Sequence, residues 1–473
     1  MALKQIAPSL VLTFLTLSVA GAENDPQRQL SLDDCIRIAL EKHQSLNVSA
    51  ANLAMAEAQY QQAMSAYWPR IAAQVNASRA DQDRTFAMDG QFSLPRNMTA
   101  ALGGALGPQV GAALAQPIPI NMDVKLADRD LMQSSLNLTY PVFTGLKREA
   151  LVAQAEKGVK LAEQGQRKTN LEVVRDVKKY FYAAQFARQM EKLADDTLER
   201  FKALEGLTEQ LYQHGSLKVK KTDYLRTKTT TAVTRTLLSE ARYAREMAHE
   251  ALGNAMGQGW DESFMLAEPE AATPVNADLQ QLVEAARNFN PDIQQLKLAV
   301  QISDDQIIEA RSGYFPLIGV QAEVYDIQTP YHGGLTNAAN RDGWTIGVGM
   351  QWNLFDGFQT AGRVNQAKAQ QRKLESQQIL LDQAMALRIK QQFLSIRSAN
   401  EQTRDSREAV GFASENRKLH VRAYQDELVE TKDVIEAQIV ETFAQSTHYR
   451  ARHALEMGLL ELEYLIGRNA QSL

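Results

Sequence analysis

Two periodicities share this chain. Ile71, Ala73, Val75 and Ala77 alternate with Gln74, Asn76 and Ser78, and a period of two recurs over 136–142, 318–324 and, most clearly, 344–354. Such alternation gives a strand one apolar and one polar face, so strands are expected at about 70–80, 133–143, 317–325 and 343–354. Elsewhere the stepping changes to three and four, as in Val174, Val177, Phe181 and Ala184, then Leu204, Leu207 and Leu211. This is the stripe of helices packed side by side. No proline falls between Pro141 and Pro269 or after Pro330. A helix can therefore run unbroken from 146 to about 212, roughly 100 Å at about 1.5 Å per residue. It is too long to bury in a compact globule.

The pattern occurs twice. The segment from Ser31 aligns without a gap to one in the second half, pairing Leu32 with Leu279, Ala63 with Ala310, Tyr67 with Tyr314, Pro69 with Pro316 and Gln74 with Gln321. Downstream, Phe143-Thr144-Gly145 pairs with Phe355-Asp356-Gly357 and Tyr212-Gln213 with Tyr424-Gln425. The offset falls from 247 to 212, which places about 35 extra residues of the first copy between 79 and 132. We expect a first repeat over 23–257, a linker over 258–276 that holds Pro269 and Pro274, a second repeat over 277–467 and a tail over 468–473. The 81–132 insertion is small, apolar and rich in turn formers; it reads as a long extracellular loop, either flexible or folded over a mouth.

Residues 1–22 have the form of a secretory signal, with Lys4, an apolar run over 10–19 and Ala20-Gly21-Ala22. No other stretch is apolar for the length a spanning helix needs, so membrane entry would require a barrel. The formal charge of −5, or −6 once Lys4 leaves with the signal, carries no basic excess for nucleic acid. A single cysteine, Cys35, rules out an intramolecular disulfide and is expected to be buried on a short helix. The seven histidines lack metal-site spacing, and no phosphate loop or nucleophile elbow is present. No enzyme, cofactor or metal site is expected.

Alternation alone also fits a half-buried sheet in a soluble protein, and a soluble periplasmic coiled-coil adaptor or scaffold is the competing reading. Aromatic residues favour a membrane. Trp344 and Trp352 are eight residues apart, about 26 Å along a strand and close to the ~25 Å apolar band of outer-membrane barrels. Tyr67, Trp68, Tyr314 and Phe315 stand at the other strands' helical ends, where an interfacial girdle belongs. Four strands cannot close a barrel, since single-chain barrels start at about eight and those are filled by side chains. Three chains would give twelve strands and a lumen, hence an expected homotrimer.

The duplicated YWPRI/YFPLI and YPVFTG/WNLFDG junctions, with the helical tips LYQHGSLKVKKTDYL and AYQDELVETKDVIEAQ, resemble the TolC-like outer-membrane efflux family over essentially the whole mature chain. The resemblance implies an α+β membrane protein. In it, a long α-helical coiled-coil tunnel in the periplasm adjoins four strands per chain of a shared twelve-stranded barrel in the Gram-negative outer membrane. It also implies a periplasmic adaptor (membrane fusion protein) and an inner-membrane pump as partners, in efflux or type I secretion. The family's constricting tyrosine falls on Tyr424, its acidic ring positions on Asp433 and Glu436, and the first tip's acid on Asp223. Adaptor docking falls on the tip positions Gly215 and Glu427. Two positions depart from the family: Val429 replaces an expected arginine and Glu427 an expected glycine. The tips differ in sign, with Lys218, Lys220 and Lys221 on the first and Asp426, Glu427, Glu430, Asp433 and Glu436 on the second. They are either solvated helix ends or a charge-paired closure.

Overall fold

The computed structural model describes residues 29–259, 264–268, 278–335, 337 and 339–468. The signal at 1–22 and most of the tail lie outside them, as does most of the linker. The first repeat runs β1 (Gln29–Leu30), α1 (Leu32–Lys42), α2 (Gln44–Met64), β2 (Arg70–Arg79), β3 (Arg84–Phe92), α3 (Arg96–Leu106), α4 (Pro108–Leu114), β4 (Ile118–Ala127), β5 (Asp130–Phe143), α5 (Lys147–Gln213) and α6 (Lys221–Ala255). After β6 (Met265–Leu266), the second repeat runs α7 (Leu279–Phe289), α8 (Pro291–Arg311), β7 (Leu317–Gln328), β8 (Asp342–Gln351), α9 (Gln359–Gln425) and α10 (Thr431–Ile466). Both long helices have 67 residues.

Local chemistry sets these boundaries. Ser31 Oγ accepts from the Asp34 amide at 3.1 Å while the Asp34 carboxylate accepts from the Ser31 amide at 3.3 Å, a reciprocal cap for α1. Asn290 Oδ1 accepts from the amides of Asp292 (2.9 Å) and Ile293 (3.2 Å), and Pro291 opens α8 where its missing N–H costs nothing. Each strand-to-helix junction turns on two successive left-handed residues, Gly145 (φ 64°) and Leu146 (φ 70°) in one copy, Gly357 (φ 65°) and Phe358 (φ 67°) in the other. At Gly145 a side chain is also sterically forbidden, because a Cβ would lie 2.7 Å from that of Phe315.

The chain divides into two compact units. One unit covers residues 1–47, 169–285 and 387–473, and its described elements are helices apart from the parallel pair β1–β6. Its core includes Cys35, Val177, Phe181, Leu252 and Met256. Cys35 is fully buried on α1, and desolvation, with the Asp34 charge adding to it, pushes its thiol up to about 12.

The other unit, residues 48–168 and 286–386, holds an antiparallel sheet of order β2-β5-β7-β8. Its register aligns Ala73, Leu136, Val324 and Trp344 in one row and Ile71, Leu138, Ala322 and Ile346 in another. The intervening row is Ala72, Asn137, Glu323 and Thr345. One face is thus apolar and the other mostly polar. β8 ends at Gln351, so Trp352 and Leu354 follow the strand instead of belonging to it. The 81–132 insertion is not the loop its composition led us to expect. It folds as a second hairpin, β3 with β4, tipped by α3 and α4.

Candidate functional site

The two helical tips belong to the helical unit. Helix α5 stops at Gly215 (φ 73°), where the Ser216 amide donates to the Leu211 carbonyl at 3.0 Å and the Gly215 amide to Tyr212 at 3.2 Å. Helix α9 stops the same way at Glu427 (φ 53°), with Leu428 donating to Ala423 at 2.8 Å and Glu427 to Tyr424 at 3.1 Å. This is the glycine-favouring helix stop, and a glutamate there carries backbone strain of roughly 1–2 kcal/mol. Contacts from the first tip hold it in place. Ser216 Oγ donates to the Glu427 carboxylate at 3.0 Å, and the Lys218 ammonium donates to the Glu427 main-chain carbonyl. We expect Gly215→Ala to cost about 1 kcal/mol. Glu427→Gly should stay near neutral, strain relief offsetting the lost Ser216 bond of about 1 kcal/mol. Urea unfolding of the two variants tests the pair.

Asp223 and Asp433 have one shared role. Each carboxylate reaches back to the amide three residues earlier, Lys220 in the first tip and Glu430 in the second, both at 3.0 Å, capping α6 and α10. Glu436 is exposed on α10. Lys432 pairs with Glu430 on its own tip at 3.1 Å, and that hydrogen bond raises the Lys432 pKa. Of the first tip's lysines, Lys218 is the one bonded to the second tip among the described residues, through a main-chain oxygen.

Tyr424 is enclosed by its own chain. Its side chain is 3% exposed, packed with Phe201, Leu204, Val434 and Ile435. Its hydroxyl bonds Thr208 Oγ1 at 3.0 Å and Thr431 Oγ1 at 2.9 Å. The phenol is thus satisfied within its own chain. Val429 packs against the same cluster, so an apolar contact occupies the place where an arginine was expected.

In the sheet unit, Trp68, Tyr314, Phe315, Trp344 and Trp352 are exposed, and Tyr67 is half-buried under the Arg148 guanidinium, 4.3 Å from its ring centroid. Trp352 Nε1 donates to the Tyr314 carbonyl at 3.1 Å, and Phe143 meets Phe315 edge to face at 6.5 Å. The apolar face is open: Trp344 is 74% exposed, Ile346 64% and Val348 75%. No helix among the described residues is long and apolar enough to cross a membrane.

The sequence profile of outer membrane efflux proteins matches residues 35–258 and 282–468. The chain belongs to the outer membrane efflux protein family. Over 301 residues this family member is 23% identical to the probable efflux pump outer membrane protein TtgC of Pseudomonas putida, a stretch that is 62% of this chain and 53% of that one. It therefore spans about half the length of the curated relatives it matches. Among solved structures, the outer membrane protein VceC of Vibrio cholerae superposes with a TM-score of 0.73 at 17% identity, covering 93% of this chain and 96% of VceC. The CmeC outer membrane channel of Campylobacter jejuni gives 0.73 at 13%, covering 93% and 87%. The fold is that of the TolC-like channels, and the family and its structural neighbours are channels and not enzymes.

One part of this efflux protein's tip architecture escaped the sequence reading. Glu441 on α10 is 1% exposed and lies between two guanidiniums, Arg200 of α5 at 2.8 Å and Arg417 of α9. Its signal is visible in retrospect. Glu441 follows the buried Val434 by seven residues and Gln438 by three, the spacing of a packed helical stripe.

Proposed function

We propose that three copies of this chain close their sheets into one twelve-stranded barrel in the outer membrane. The long helices then form the periplasmic tunnel, an exit duct for an efflux pump or a type I secretion system. The observation that carries this reading is a sheet with two open edges, β2 and β8, and one apolar face left uncovered. Open edges invite pairing with another chain, and an apolar face of that extent needs lipid. Light scattering of the detergent-extracted protein tests it: a threefold protomer mass is expected, and a monomer extracted without detergent would overturn it.

The tips are the periplasmic gate in this proposal. Asp223, Asp433 and Glu436 supply negative charge around the mouth, while Gly215 and Glu427 shape the turns offered to an adaptor that links the duct to an inner-membrane pump. Tyr424 acts from inside, fixing α9 against α5 and α10. Exposed pairs contribute only about 0.2–1 kcal/mol each and weaken with salt, so closure rests on few bonds. Lys218→Glu sets a carboxylate against the Glu427 carbonyl and should raise single-channel conductance several-fold in planar bilayers. Conductance equal to wild type would remove the tip contact from the gate.

A further inference from the structure

The β3–β4 hairpin carries a feature the duct does not use. Between residues 85 and 122 the only charges are Asp89 and Arg96. The register sets Phe86 opposite Val124, Met88 opposite Met122, Gly90 opposite Ile120 and Phe92 opposite Ile118. Directly paired residues share a face, so these make one continuous apolar surface. Thr85, Ala87, Asp89 and Gln91 lie on the other side with Asn121 and Asp123. On the apolar side Phe86, Met88, Phe92, Ile118, Ile120 and Met122 each remain 38–50% exposed. The ribbon has two strands only, and such a ribbon is marginal in water without something on its apolar face.

Lipid is a poor cover for it. β2 has ten residues, which at a tilt of about 40° rise roughly 25 Å, the height of a barrel's apolar band. At its far end stands a belt of ion pairs: Arg79 with Asp130 at 3.2 Å, Arg341 with Asp326 at 3.7 Å, and Lys125 with Asp83 at 2.8 Å and Asp128 at 2.7 Å. These charges mark where hydrocarbon ends, and the ribbon begins beyond them. Its scarcity of charge also gives it little hold on lipid headgroups. A second copy fits better. β3 continues directly from β2, an open edge of the sheet, and so emerges where a neighbour must join. An uncharged face meets its own copies without repulsion.

We propose that the apolar face of the β3–β4 ribbon, with its α3–α4 tip, packs against the same ribbons of neighbouring copies as an intersubunit clasp that narrows the outer mouth. This rests on the trimer reading, and the test separates the two. Met88→Cys and Asp89→Cys, on opposite faces, are labelled with pyrene maleimide in the folded protein, where the buried Cys35 is shielded; mass is measured on the same samples. A trimer with an excimer-to-monomer ratio several-fold higher at position 88 than at 89 is the expected result. A trimer whose position-88 probe is instead quenched by brominated lipid, or by iodide in water, overturns the clasp and leaves the trimer standing. A monomer overturns both. As a label-free check made in a Lys218→Glu background, where the tip no longer limits current, the double variant Phe86→Ser, Ile120→Ser should raise conductance at least about twofold further, and unchanged conductance counts against the narrowing.

Discussion

Replacing Glu441 with alanine is expected to destabilise the helical unit by about 3–5 kcal/mol, the typical cost of removing one partner from a buried ion pair. The carboxylate is almost completely enclosed and bonds Arg200 and Arg417 together. Without it, two guanidiniums face each other in a space with little water, and their repulsion adds to the lost bonds. Arg200→Ala should cost distinctly less, because Arg417 stays paired and Arg200, 30% exposed, already has partial access to solvent. Glu441→Gln keeps the shape and a hydrogen-bonding group but not the charge, so it should fall between the two. Converting all three residues to apolar ones of similar volume should recover much of the loss, since such triads are often no more stable than a well-packed core. Guanidinium unfolding followed by helical circular dichroism measures the series. A cost below about 1 kcal/mol for Glu441→Ala would mean that water reaches the site freely.

The parts of this molecule that announce themselves in sequence are those whose cause is local. A period of two over 344–350 needs only neighbouring residues, and β8 has it. Pro291 and Asn290 start α8 through bonds within three residues. The insertion was harder. Phe86, Met88 and Phe92 do alternate, but Asp89-Gly90 interrupts them and the following glycines read as turns, so 81–132 passed for a loop. What decides its strands is pairing across 25 or more intervening residues, the fewest between Phe92 and Ile118.

The tip was legible in its composition and not in its geometry. Charges and turn positions can be read along the chain, and Asp223 and Asp433 fall where a helix start needs an acid. Tyr424 is different. A phenol suits either a wet aperture or a core with a polar partner at its tip, and the choice is made by Thr208, 216 residues away. Family matching assigns this position an outward task, and the packing of the single chain turns its hydroxyl inward. Glu441 failed for the same reason, since its partners lie on two other helices.

The sharpest division between a membrane duct and a soluble scaffold comes from a residue that touches little. Val348 sits in the row of Tyr140 and Val320 and is 75% exposed in the single chain. If that face met water, Val348→Arg would be an ordinary surface change, within about 0.5 kcal/mol of neutral. If it meets the middle of a bilayer, each arginine costs about 2–4 kcal/mol, and a symmetric trimer carries three. The variant should therefore fail to accumulate in the outer membrane, while Thr345→Lys, on the mostly polar face, should assemble at close to the wild-type level. The contrast between faces matters more than either variant alone, because a general folding defect would strike both. Equal recovery of the two from detergent-extracted membranes would sink the barrel assignment, and with it the reason for three chains to meet.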